Sequence, residues 1–172
     1  MIKIVAFLLG TACLLGLFQA GTAQAQKAAE PFDDTTFVKK AASAGSLEVV
    51  LGNLAKKKAQ SQPAKVFAEK MVTDHTKAGE DLKKAAAAAN IPVPEMMSEK
   101  NQKTLDHFKN HADANFDKDY IAQMVADHEE AVALFTQASK EARNPALKDF
   151  ATKTLPVLEE HLKMVKQIQS KQ

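Results

Sequence analysis

Tryptophan is absent from this 172-residue chain, and cysteine and tyrosine occur once each. The single cysteine, Cys13, lies inside an apolar N-terminal run. The chain beyond it can form no disulfide and offers no thiolate to a metal, whatever the redox state of its compartment. With so few large aromatic platforms, stacking on nucleic-acid bases or sugar rings has little support. The formal net charge of +2 argues against a polyanion-binding face and against a surface built for acidic substrates. Glycine and proline number six each, so breakpoints are few and each can be read by itself. No nucleophile motif, glycine-rich phosphate loop or aromatic-basic patch is present.

The N-terminus carries the features of a secretory leader. Lys3 precedes an apolar run over 4–18, and Ala23-Gln24-Ala25 has the small-x-small form of a cleavage site. The run is short for a membrane span, which takes about 20 residues; an uncleaved anchor is the alternative. Cys13 follows Gly10-Thr11-Ala12, without the leucine that a lipid-attachment motif places first. The expected organisation is therefore a cleaved leader over 1–25 and one domain over 26–172. That domain is expected to be periplasmic or secreted, with no membrane span after cleavage.

Alanine, lysine, glutamate, glutamine and leucine dominate the remainder, and no stretch alternates with period two for long enough to suggest a sheet. The fold class read from this pattern is all-α. A first helix is predicted from Asp33 or Asp34 to about 60, broken and restarted at Ser61-Gln62-Pro63, because proline is accepted in a first turn but not in an interior. The second runs to about 90 and stops at Ile91-Pro92-Val93-Pro94. A short helix over about 98–110 follows, then a third long helix over about 116–143. Asn144-Pro145 repeats the break, and the fourth long helix reaches about 170, with Pro156 expected to kink it. Two hairpins with short turns, joined by a long crossover that contains a short helix, make a ferritin-like four-helix bundle. A faint internal echo (Pro63, Phe67 and Lys70 against Pro145, Phe150 and Lys153) fits two related hairpins.

Each long helix interrupts its apolar stripe with one ionisable residue. Around His75 the same-face positions three, four and seven away hold Ala68, Met71, Val72, Ala78, Gly79 and Leu82. His128, His161 and Glu48 have comparable surroundings on their own helices. His75 and His128 close two copies of one pattern, MVTDH at 71–75 and MVADH at 124–128. All four residues fall near their helix midpoints, so they should meet in one central layer. A buried carboxylate is tolerated only with a partner, hydrogen bonds or a metal.

Three histidines and a carboxylate match the ligand chemistry of Zn, Cu, Fe, Mn or Ni. The competing reading is a polar core network in which Glu48 accepts from one or two histidines and nothing binds. Asp74, Asp127, Glu129, Glu159 and Glu160 lie close enough in sequence to support the histidines, or they are ordinary solvated flanks. Met71, Met124 and Met164 each sit one turn from an inner histidine. Thioethers there would suit Cu(I), but core packing, the usual use of methionine between helices, is the favoured reading. His107 and His111 have the spacing of a metal pair but point away from Leu105 and Phe108, so they are expected in solvent.

The Leu-Glu at Glu48, the Asp-His at Asp74-His75, His128, and the Leu-Pro at Leu155-Pro156 followed by His161 resemble an exported bacterial family, domain-of-unknown-function family four-one-four-two. The resemblance covers about 33–168. It implies a ferritin-like superfamily bundle and export, and it brings no known reaction. The chain departs from the di-iron pattern of that superfamily, which places Glu-x-x-His on two helices. Three residues before each inner histidine stand Val72, Val125 and Leu158. A mononuclear or copper-type site fits better, and no catalytic residue is assigned. The expectation is an exported bundle that binds a transition metal through Glu48, His75, His128 and His161, in metal handling or envelope stress defence. Its expected partner is the metal ion, with no nucleic acid. The alternative is a non-catalytic structural or interaction bundle with a buried Glu/His network and no metal.

Overall fold

The structure, a computed structural model, describes residues 31–111 and 113–172. The proposed leader lies outside them. Every expected helix forms, and all but the one that starts at Phe116 begin where a side chain accepts backbone N–H groups left free in a first turn. Asp33 accepts from Thr35 N and Thr36 N, both at 3.1 Å, and opens α1 (Asp34–Lys58). Ser61 accepts from Ala64 N and opens α2 (Gln62–Ala88), with Pro63 in its first turn. Ser98 caps α3 (Glu99–Lys109). A 3-10 turn (Asp113–Asn115) leads into α4 (Phe116–Glu141). Asn144 accepts from Ala146 N at 2.9 Å and opens α5 (Pro145–Gln169), which continues through Pro156. Among the described residues there is no strand, and no helix is long and apolar enough to cross a membrane.

Helix α2 stops by turning left-handed. Asn90, at φ 55°, sends its N–H to Ala87 O and the N–H of Ile91 to Ala86 O, the paired closure in which a glycine or asparagine follows the last helical turn.

Helix α1 packs on α2 and α4 on α5, while α2 meets α5 and α1 meets α4, so the four long helices form a closed ring. Two aspartates set the polarity. Asp34, at the start of α1, accepts from Arg143 N (3.0 Å) and Asn144 N (2.8 Å) in the α4–α5 turn. Asp117, at the start of α4, accepts from Gln60 N (2.8 Å) and Ser61 N (2.7 Å) in the α1–α2 turn. Each hairpin thus clamps the turn of the other, and α1 and α4 run antiparallel. The segment between α2 and α4 lies along α1: Ser43 Oγ accepts from Ser98 N and Asn101 Nδ2, both at 2.8 Å, and Lys58 Nζ donates to His111 O.

The core has two apolar halves. One gathers Leu51, Phe67, Met71, Phe116, Tyr120 and Met124. The other gathers Phe37, Leu82, Phe135, Leu147, Phe150 and Leu158. Burying each large side chain contributes about 1.5–3 kcal/mol. On α2, α4 and α5 a histidine falls between the segments that feed the two halves, and on α1 Glu48 stands at the same boundary.

Candidate metal centre

Glu48, His75, His128 and His161 are buried, at 2, 7, 0 and 1 % exposure. The helical stripe that carries each of them forces this, because their neighbours at one-turn spacing are the core itself. The four come together. The ring centroids of His75, His128 and His161 lie 5.4–5.6 Å apart, and one ring nitrogen of each lies within 4.8 Å of those of the other two.

The hydrogen bonds around the rings decide which nitrogen carries the proton. His128 Nδ1 lies 2.9 Å from Met124 O, and a carbonyl only accepts, so Nδ1 holds the proton. His161 Nε2 donates to Asp74 Oδ2 at 2.8 Å, and Asp74 is itself held by Lys70 Nζ at 3.0 Å. His75 Nδ1 donates to Glu48 Oε2 at 3.0 Å. One nitrogen of each ring is thereby spoken for. The other nitrogens, His75 Nε2, His128 Nε2 and His161 Nδ1, are buried without a hydrogen-bond partner, as is Glu48 Oε1. In its neutral form each ring then presents a lone pair at that second nitrogen.

Electrostatics favour neutral rings at two of the three positions. Burial pushes the His161 imidazole down to about 4, against the upward pull of its bond to Asp74. Burial also lowers His128, against the Glu48 charge. Burial acts downward on His75 as well, but there the adjacent Glu48 carboxylate prevails and raises it. Burial would raise Glu48, yet the surrounding histidines, His75 foremost, bring it below the ordinary carboxylate range. Asp74 is lowered too: the bonds from His161 and Lys70 outweigh its partial burial.

The flanking acids divide as their exposure dictates. Asp74 reaches a site histidine. Glu129 pairs with Lys166 at 2.6 Å, Glu160 lies 3.9 Å from Lys70, and Glu159 is exposed. Asp127 is half-buried; Gln123 donates to its Oδ1 at 2.9 Å, and its Oδ2 has no hydrogen-bond partner. Burial, and then the Glu48 charge, push its carboxyl up to about 6. Met71 and Met124 are fully buried in the same core half as Phe67, and Met164 packs against it.

Two positions differ from the sequence reading. His111 is not in solvent: it stacks on Phe108, and its Nε2 lies 2.6 Å from Asp119 Oδ2, because the crossover folds back against the start of α4. His107 is exposed as expected. The histidine and carboxylate pattern does not single out Tyr120. It is fully buried with an unpartnered hydroxyl, and burial, then the Glu48 charge, raise it above its ordinary value. Its signal was present, since the chain's one tyrosine stands two helical turns before His128 on the same stripe.

The sequence profile of the family described as "Domain of unknown function (DUF4142)" matches residues 18–168, and the chain belongs to that family. No curated protein matches the chain. Among solved structures, a DUF305 fragment from Deinococcus radiodurans is similar at TM-score 0.69 and 10% identity, over 83% of this chain and 100% of that one. CopM in the Cu(I)-bound form is similar at TM-score 0.67 and 19% identity, over 81% of this chain and 97% of that one. CopM in the Cu(II)-bound form is similar at TM-score 0.68 and 19% identity, over 83% and 99%. At these identities the likeness shows the shared helical-bundle fold.

Proposed function

We propose that this member of the DUF4142 family is an exported helical bundle that holds one transition-metal ion, copper foremost, on His75, His128 and His161. Its role is metal handling or envelope stress defence. The observation that carries the reading is the convergence of three buried imidazoles whose outer nitrogens are each already bonded, to Glu48, to Met124 O and to Asp74. Such outer partners fix the tautomer and the ring plane of metal-bound histidines. Nitrogens bound tetrahedrally at about 2.0 Å sit roughly 3.3 Å apart, so small ring rotations close the present set around an ion. Glu48 acts chiefly by holding His75, and its free Oε1 is a candidate fourth ligand. Imidazole ligation without thiolate suits copper, zinc, iron or nickel. Copper is put first because CopM, of like fold, is known in Cu(I)- and Cu(II)-bound forms.

A purely structural network explains less. It would leave one nitrogen of each of the three rings without a bond in the dry interior, and each unsatisfied buried polar group costs about 1–3 kcal/mol. Export rests on the leader pattern over 1–25.

Metal analysis of the exported protein tests the reading, beside a His128→Ala/His161→Ala variant. One ion per chain is expected in the wild type and background in the variant, with an intact mass that starts at Gln26. Metal at background, together with no thermal gain from Cu(I), Cu(II) or Zn(II), would remove the proposal.

A further inference from the structure

Beside the histidine layer lies a cavity of about 1090 Å³ between α1, α2, α4, α5 and the segment that follows α2. A metal ion needs no such volume; pockets of about 300–1,000 Å³ hold small organic molecules. Its walls include Leu82, Leu134, Phe135, Phe150 and Leu158. Two helical glycines in the wall, Gly45 and Gly79, keep it wide: a Cβ at either would meet nothing within 4 Å. Of the histidine layer, only Glu48 and His75 reach the cavity; His128 and His161 do not.

The cavity's lysines, Lys39, Lys40, Lys83 and Lys100, are exposed, whereas the buried side-chain atoms left without a partner in its wall include two carboxylate oxygens. Glu48, 2 % exposed, uses Oε2 for His75, and its Oε1 accepts no hydrogen bond. His128 Nδ1 is 3.5 Å from that oxygen but is committed to Met124 O. Asp127 Oδ2, buried in the same wall, accepts none either. The cationic Lys100 nearby is tied to Glu130 at 2.7 Å. An anionic head would meet two carboxylates here, and an apolar tail would leave both unsatisfied. A cation is the complement of two acceptors in a low-dielectric recess.

We propose that this cavity binds a small organic cation, its apolar body against Leu82, Phe135, Phe150 and Leu158 and its ammonium end between Glu48 and Asp127. The cavity walls stand without any ion, but Glu48 Oε1 is also the candidate fourth metal ligand, so the cation is tested on metal-free protein.

Calorimetric titration of chelator-treated protein with octylammonium, octanoate and octanol tests it, with the metal question removed. Octylammonium is expected to bind one per chain, at least tenfold more tightly than octanoate or octanol. Asp127→Asn should weaken it about tenfold. Gly79→Leu, which fills the cavity, should abolish it while the helical circular dichroism is kept; Gly45→Leu, plugging from α1, serves if Gly79→Leu does not fold. No binding of octylammonium, equal binding of octanoate or octanol, or binding that survives both plugs would overturn the proposal.

Discussion

What stands behind a histidine fixes which ring nitrogen it can offer to a metal. His161 shows this most clearly, because its outer nitrogen is held by Asp74, a carboxylate on a different helix that is itself steadied by Lys70. Removing such a partner typically lowers metal affinity 10–100-fold. Asp74→Ala is therefore expected to weaken metal binding by that range in competition with a chromophoric chelator. Its effect on metal-free stability should be about 1–3 kcal/mol, because the buried His161 Nε2–H loses its acceptor, while the exposed pair with Lys70 contributes about 1 kcal/mol or less. Unchanged metal affinity would show that Asp74 does not orient the ring.

At the scale of elements, glycines in otherwise similar helices have opposite meanings. At Gly52 a Cβ would lie 2.9 Å from Val72 Cγ2 and 3.0 Å from Ala68 O, so α1 and α2 approach there as only glycine permits. Gly52→Ala is expected to destabilise by about 1–3 kcal/mol. Gly45→Ala and Gly79→Ala should each stabilise by about 0.5–1 kcal/mol, the helical cost of glycine against alanine. Urea midpoints of the three variants check the sign at each site.

The helix starts also carry a pH dependence. Partial burial would raise the Asp117 carboxyl, but its bonds to Ser61 and Gln60 prevail and lower it. A folded-state value below the unfolded one stabilises above about pH 4 and is lost as pH falls through the folded value. Asp117→Asn should cost about 1 kcal/mol at neutral pH, and the difference from wild type should shrink at about pH 3. A constant difference across that range would contradict the assignment.

For the whole molecule, the polar layer between two apolar halves is a stability question. Buried ionic groups are often replaced by apolar residues of similar volume at no cost, or with a gain of about 1–4 kcal/mol. A Glu48→Met/His75→Leu/His128→Leu/His161→Leu variant is expected to be at least as stable as the wild type in chelator, and to bind no metal. Urea unfolding reads both states. A less stable variant would mean that the layer holds the bundle together by its own hydrogen bonds.

The sequence by itself determined the all-α class, the helix starts to within about two residues, and the four residues that turn inward. Caps, prolines and 3.6-residue periodicity are local, and each acts within a turn or two of chain. Periodicity also brought Glu48, His75, His128 and His161 to one depth, since depth along a helix is a count of residues. Only the tertiary structure decided which nitrogen of each ring faces inward, that Asp74 on α2 serves His161 on α5, that Asp119 draws His111 out of solvent, and that a cavity opens at Gly45 and Gly79. Those outcomes depend on side-chain rotation and on contacts between residues as far as 87 positions apart, and no periodicity within one helix encodes them.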